Sequence, residues 1–366
     1  MNQSSLEQRA EELTALVADL GVVDACYLQQ NQIVLSLHLR FDPLKSTTLL
    51  KDRLRLAGYR FTLSLSDDTL LLSVSPHRKL TIPKLNIFLF FVTLASVYLV
   101  PVFYFNILSN PTLASALTAT LDDLAHGRGL EFTLALISIL LVHEMAHFVA
   151  SRRRGIITSW PYFIPAPNLI GTFGAIIKSK SPFWNRRDLI EVGAAGPIAG
   201  WVVAIGWLVY GLTNSAIISE ELAAFSGMAF TLDGESILIK ALVPWLIGPA
   251  PSGSLYAFSE AAFAGWVGLL VTALNMLPIG QLDGGHVLYG LTPRKQATLG
   301  WIALAGLLVL GFQSSIWWIF GGLAFVMGVV HPPTLDDQKP PPRTARILGW
   351  LSLVILLLSF TPVPFQ

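Results

Sequence analysis

The sequence predicts an α-helical polytopic membrane protein of about seven transmembrane helices, with a small N-terminal α+β soluble domain. Three observations carry that expectation. Hydrophobic residues fill 53 % of the 366 positions and charged residues only 13 %, about half the roughly 25 % usual in soluble domains. Mean hydropathy is +0.60. The charges are also uneven: residues 1–80 are polar and charged, and long charge-free runs begin near 85. Such a balance excludes an ordinary soluble enzyme and a disordered chain. With 24 Lys+Arg against 23 Asp+Glu, the net charge is +1, so no basic excess suits a nucleic-acid partner. The single cysteine, Cys26, excludes an internal disulfide framework and a zinc site built from paired cysteines.

Residues 1–80 read as the soluble domain, with the coarse pattern α-β-α-β-β. Ser4 and Glu7 suit a capping box ahead of Leu13, Leu16, Val17 and Leu20, and Gly21 ends that helix. Ile33, Leu35, Leu37 and Leu39 alternate, which predicts a strand over 31–39. A helix over 45–57 stops at Gly58. Strands over 59–65 and 69–75 flank a hairpin turn at Ser66-Asp67-Asp68. Nothing here suggests chemistry, so the domain is expected to regulate, to dock or to serve structure. Glu7, Glu11, Glu12 and Asp19 against Arg9 fit neither a signal peptide nor a transit peptide. The first span is then the targeting signal, which favours a bacterial plasma membrane or thylakoid membrane in a bacterial source.

A bilayer core takes ~20 apolar residues per helix. Spans are expected near 85–107, 130–150, 190–213, 257–277, 297–312, 315–331 and 346–364. The apolar segment 238–249 is short and holds Pro244, so it reads as an interfacial or re-entrant helix. The 297–331 pair reads as a hairpin turning at Gln313-Ser314-Ser315. With the N-terminus in the cytoplasm, the inner segments collect His77-Arg78-Lys79, Arg152-Arg153-Arg154, Lys178, Lys180, Arg186, Arg187, Arg294, Lys295, Lys339, Arg343 and Arg346. The outer ones hold only Arg128 and Lys240, as the positive-inside rule asks. Trp317, Trp318 and Trp350 read as interface anchors, and the arginine run as a topology signal touching lipid headgroups.

The chemistry begins at His143-Glu144-Met145-Ala146-His147 in the second span. Helix residues four apart lie ~40° apart in azimuth and ~6 Å apart along the axis. Both imidazoles therefore point to one side and can hold one metal, with Glu144 placed to take a proton from a metal-bound water. Ionisable groups inside a span are functional by default. Zinc needs a third protein ligand. Ala150 and Arg153 stand where a metzincin has glycine and histidine. Depth does not exclude Glu191 and Asp188. Asp283 fits best, because Pro278 and Gly280 break the helix ahead of it and Gly284-Gly285 let backbone approach closely. His286 reads as slightly more interfacial than supporting.

HExxH followed by Leu282-Asp283-Gly284 resembles the site-2 protease family of intramembrane zinc metalloproteases (peptidase M50) over about 85–340. Gly171-Thr172-Phe173-Gly174-Ala175, Gly196-Pro197-Ile198-Ala199-Gly200 and His331-Pro332-Pro333 resemble its cyanobacterial and chloroplast branch. No stretch reads as a PDZ domain. The resemblance implies a three-helix core built from the HExxH, Gly196-Pro197 and LDG spans. It implies one Zn2+ per chain on His143, His147 and Asp283, a catalytic Glu144, and Asn275 steadying the substrate carbonyl. On this reading residues 81–340 are the metalloprotease domain and 341–366 a C-terminal transmembrane helix. The expected reaction is regulated intramembrane proteolysis. Its partners are the lipid bilayer and a transmembrane protein substrate, including one already trimmed by another protease. The stretch 171–180 either adds as a strand to the unwound substrate or is an ordinary re-entrant loop. Rival readings are a zinc or divalent-metal transporter, which should string ligand clusters along a path, and a pseudoprotease that binds client helices, against which Glu144 argues. Rhomboid GxSG and presenilin GxGD motifs are absent.

Overall fold

The computed structural model describes residues 3–29, 32–56, 59–66, 69–75, 82–154, 156, 158–179, 183, 185–222, 229–334 and 337–364. Gly58, Asp67, Asp68, His77-Arg78-Lys79, Lys180 and the side chain of Ser4 lie outside the described residues. The chain divides into two compact units, Met1–Ile82 and Pro83–Gln366.

In the first unit, helix α1 (Gln3–Val17) is followed by strands β1 (Gly21–Gln29) and β2 (Gln32–Leu39). Helix α2 (Pro43–Leu56) and strands β3 (Arg60–Ser66) and β4 (Thr69–Ser75) complete it. The sheet order is β1-β2-β4-β3, antiparallel throughout. Alternation sets the register: Ile33 pairs with Val74, Leu35 with Leu72 and Leu37 with Leu70, and all six are buried. Leu13, Val17, Leu50 and Leu54 of the helices are buried with them. Each such side chain contributes about 1.5–3 kcal/mol. The pattern is α-β-β-α-β-β, which corrects the expected α-β-α-β-β. Strand β1 escaped because its register shifts between Val23 and Ala25. A bulge flips the phase of alternation and hides the period of two.

The second unit is mostly helical. It opens with α3 (Lys84–Ser109), α4 (Leu113–Ala125) and α5 (Leu130–Arg153). A hairpin of β5 (Tyr162–Pro165) and β6 (Thr172–Ile176) precedes α6 (Arg186–Thr213). Strands β7 (Ala216–Ser219) and β8 (Ala229–Phe230), helix α7 (Ile237–Leu246) and strand β9 (Ser254–Ala257) follow, the strands pairing in the order β7-β9-β8. Then come α8 (Glu260–Asn275), α9 (Asp283–Leu291), α10 (Pro293–Leu310), α11 (Ile316–Met327) and α12 (Arg343–Ser359).

Helix α6 is central: α5, α8, α9 and α12 all pack on it. The main core holds Leu136, Ile139 and Leu140 of α5, Ala204 and Leu208 of α6, and Phe263, Trp266 and Val267 of α8. Among the described residues, α3, α5 and α6 are the helices long and apolar enough to cross a membrane by length and composition. Helix α8 has 16 residues, about 24 Å, because the chain turns at Pro278–Gly280, where Gly280 takes a left-handed φ of 51°. Helix α7 spans about 15 Å, with Ser236 accepting from Ile239 N–H to cap it.

Two readings of single residues change. Trp317 is 1 % exposed: its indole N–H donates to Pro362 O at 2.7 Å and its ring stacks on Phe360. It therefore anchors the C-terminal turn, while Trp318 and Trp350 are exposed. In the arginine run, Arg154 hydrogen-bonds Glu191 and lies 3.6 Å from Asp188, and the Arg152 guanidinium sits 4.7 Å over the Phe148 ring. The two Arg154 contacts bind the end of α5 to α6, while the Arg152 contact lies within α5.

Candidate metal centre

Helix α5 carries both histidines of the HExxH pattern near its C-terminal end, and His143, Glu144 and His147 are all buried there. Buried imidazoles in a helix–helix interface need space on the facing helix, and α6 supplies it by omitting side chains. A Cβ at Gly196 would collide with the His147 ring, and one at Gly200 would lie 3.0 Å from His143 Nδ1. Small residues four apart are how apolar helices approach closely. Gly196 and Gly200 thus form a mould for the two imidazoles.

Asp283 arrives from beyond the turn that follows α8. The helix of the expected fourth span, α8, stops at Asn275, and beyond the break expected at Pro278 and Gly280 Asp283 opens the next helix, α9. At that first-turn position the free N–H groups and the helix dipole favour its charge. Gly284 and Gly285 sit so close to the carbonyls of Met276, Leu277, Ile279 and Gly280 that a side chain at either would strike backbone. The fold therefore tucks the start of α9 into the turn after α8.

Asp283 Oδ2 lies 3.1 Å from His147 Nε2 and 3.4 Å from His143 Nε2, and the two Nε2 atoms are 3.2 Å apart. The His147 ring has a defined donor side: Nδ1 is 2.8 Å from Val192 O. A carbonyl only accepts, so Nδ1 carries the proton and Nε2 presents a lone pair. That is how a metal-binding histidine is commonly oriented. Ligand atoms bound to tetrahedral zinc at about 2.0–2.1 Å stand about 3.3–3.4 Å from one another. The observed triangle has those dimensions, so the donor set fits such an ion.

Glu144 is 5 % exposed and adjoins the triangle in sequence. Asn275, the last residue of α8, holds Nδ2 3.4 Å from His143 Nε2. The structure thus brings His143, His147, Asp283 and Asn275 together. Glu191 and Asp188 are drawn away: Glu191 is held by Arg154 and Arg187, and Asp188 faces Arg154. The 171–175 stretch divides. Gly171 is pressed against the α3 backbone at Ser96 and Val97, and Thr172 Oγ1 donates to Ile164 O at 2.7 Å. Gly174 and Ala175 continue the hairpin, while Phe173 is 73 % exposed. His286 is half-buried, and its Nδ1 lies 2.6 Å from Nε2 of the buried His331. Sequence reasoning missed the Val192 carbonyl, which as backbone leaves no signal, and gave no task to Gly196 and Gly200, whose four-residue spacing was a usable one.

Residues 131–310 match peptidase family M50. The chain carries an M50 peptidase domain. The family is membrane-embedded, and the three long apolar helices agree with that. Among curated proteins, the chain is 31 % identical over 281 residues to the probable zinc metalloprotease EGY2, chloroplastic, of Oryza sativa subsp. indica, covering 74 % of this chain and 50 % of that protein. It is 30 % identical over 276 residues to EGY2 of Arabidopsis thaliana, covering 73 % and 48 %, and 30 % identical over 242 residues to EGY1 of the same plant, covering 64 % and 43 %. The chain thus spans about half the length of the curated relatives it matches. No solved structure matches it.

Proposed function

We propose that this chain is a membrane-embedded zinc metalloendopeptidase of the site-2 type that hydrolyses peptide bonds within or near transmembrane segments, in regulated intramembrane proteolysis. The observation that carries the reading is the triangle of three potential ligand atoms, 3.1–3.4 Å on each edge, on a helix interface moulded by Gly196 and Gly200. His143, His147 and Asp283 would hold one Zn2+. When bound, zinc supplies Lewis acidity and a water acidic enough to attack at neutral pH. Glu144 would take a proton from the attacking water as the water oxygen bonds to the scissile carbon, and would deliver it to the amide nitrogen as the C–N bond breaks. Asn275 donates its amide N–H to the substrate carbonyl. Val192 holds the His147 tautomer throughout.

A substrate helix hides its peptide bonds in its own ladder, so the scissile stretch must unwind and find new partners. Among the described residues β6 pairs only with β5, which leaves a strand edge to receive it. Within 171–175, Phe173 faces outward for substrate contact, and Gly171, Thr172, Gly174 and Ala175 shape the hairpin that carries it.

The reading includes seven spans, with α8, α10, α11 and α12 joining α3, α5 and α6. Residues 1–80 lie in the cytoplasm, 81–340 form the protease and 341–366 the last span, in a plasma or thylakoid membrane. The basic residues concentrated in the inner segments support this orientation. Proteoliposomes holding the purified chain and a single-span substrate test the function. Cleavage that stops on chelation is expected. Zinc uptake without cleavage would replace the protease with a transporter.

A further inference from the structure

Helix α9 bears Asp283 in its first turn, but nine residues are too few for a helix to hold its own place. Side chains from elsewhere hold it. At its C-terminal end, Arg186 Nε and Nη2 donate to Gly290 O and Leu291 O, each at 2.9 Å. Ahead of its N-terminal end, Gly280 N–H donates to Val329 O at 2.8 Å. Two side chains of α9 then reach the segment after α11. The Tyr289 hydroxyl donates to Asp337 Oδ2, and His286 meets His331.

The direction of that last bond follows from the one beyond it. His331 Nδ1 faces the carbonyl of Pro332, which only accepts. Nδ1 therefore carries the proton, Nε2 accepts, and His286 Nδ1–H donates to it. The segment is itself fastened. His331 N–H donates to Gln296 Oε1 at 3.0 Å, while Gln296 Nε2 donates to Val329 O at 3.1 Å. Thr334 Oγ1 donates to Asp337 Oδ1, and Pro332-Pro333 restrict the backbone between these points. His286 lies three residues after Asp283, one turn along the same face.

We propose that the described segment 329–334, together with Asp337, is a strap that sets the position of Asp283, and that His331 is its positioning residue, acting through His286. The proposal rests on reading His143, His147 and Asp283 as the metal triangle. A ligand carboxylate must be held to within about 0.5 Å of its productive place, and groups that orient ligands change metal affinity by about 10–100-fold when lost. The strap supplies that hold without touching the metal.

The test is zinc release from the purified full chain to excess chelator, with the visible spectrum of the cobalt-substituted protein as a second readout. His331→Ala and His286→Gln are expected to lose zinc about tenfold faster or more and to alter the cobalt spectrum. His286→Asn retains a donor where Nδ1 stood and should release zinc at nearly the wild-type rate. Wild-type release from His331→Ala overturns the proposal, as does equal damage from His286→Asn and His286→Gln. Should His331→Ala fail to fold, Tyr289→Phe, which removes one oxygen, decides: faster release supports the strap and unchanged release overturns it. If the wild type holds no zinc at all, the metal triangle falls first, and the strap with it.

Discussion

The two units of this chain are ordered by different physics. In Met1–Ile82, two helices and four strands bury leucine and isoleucine from water, and the packing partners are large side chains. At the interface of α5 and α6 the decisive residues are Gly196 and Gly200, which contribute nothing but room. Lipid is as apolar as leucine, so helices in it associate through close packing and polar contacts. The first unit can spare a methyl group at some cost in stability. The second cannot accept one at Gly196 without moving a histidine.

That contrast can be broken in four places, from the largest expected effect to the smallest. Gly196→Ala puts a methyl group on the His147 ring. Zinc content and cleavage should fall by about 100-fold, measured on protein that still runs as a single species; wild-type zinc content would mean that α6 is no mould. Leu35→Ala removes a fully buried side chain from the first unit and should cost about 2–5 kcal/mol there. Hydrogen exchange in the full chain should show the loss over residues 32–75, with zinc content unchanged.

Trp266→Phe leaves the Glu235 carboxylate without the indole N–H that reaches both its oxygens at 3.0 and 3.1 Å. The carboxylate keeps its hydrogen bonds with Ser236 and Thr361, so losing this one should cost about 1 kcal/mol, which a thermal melt of the whole protein should detect. The smallest effect concerns Asp19. Hydrogen bonds from Arg53 at 2.6 and 2.7 Å hold its carboxyl below the ordinary aspartate value. A depressed folded value means that the contribution is present above the unfolded value, about 3.9, and is lost as pH falls through the folded one. Wild type and Asp19→Asn should therefore differ slightly in urea midpoint at pH 6, by pulse proteolysis of the first unit, and converge in strong acid.

Much of this was legible in the residues. Alternation at Ile33, Leu35 and Leu37 gave β2, and the HExxH spacing put two imidazoles on one face. The glycines and proline after Asn275 showed that the chain turns before Asp283. What escaped did so for physical reasons. The bulge in β1 broke its period. Helix α4, with 13 residues, is too short to span. Trp317 looks like any membrane tryptophan until Phe360 and Pro362 are seen around it. The link from His331 to His286 joins residues 45 apart, and no local pattern announces such a pair.

The claim on which the rest depends is that His143, His147 and Asp283 hold a metal which Glu144 puts to use. It is tested most directly by zinc content and cleavage of a single-span substrate, measured side by side in wild type, Glu144→Gln and Asp283→Asn. The account predicts about one zinc and cleavage in wild type, zinc without cleavage in Glu144→Gln, and neither in Asp283→Asn. Full zinc and full cleavage in Asp283→Asn, or cleavage surviving in Glu144→Gln, would contradict it.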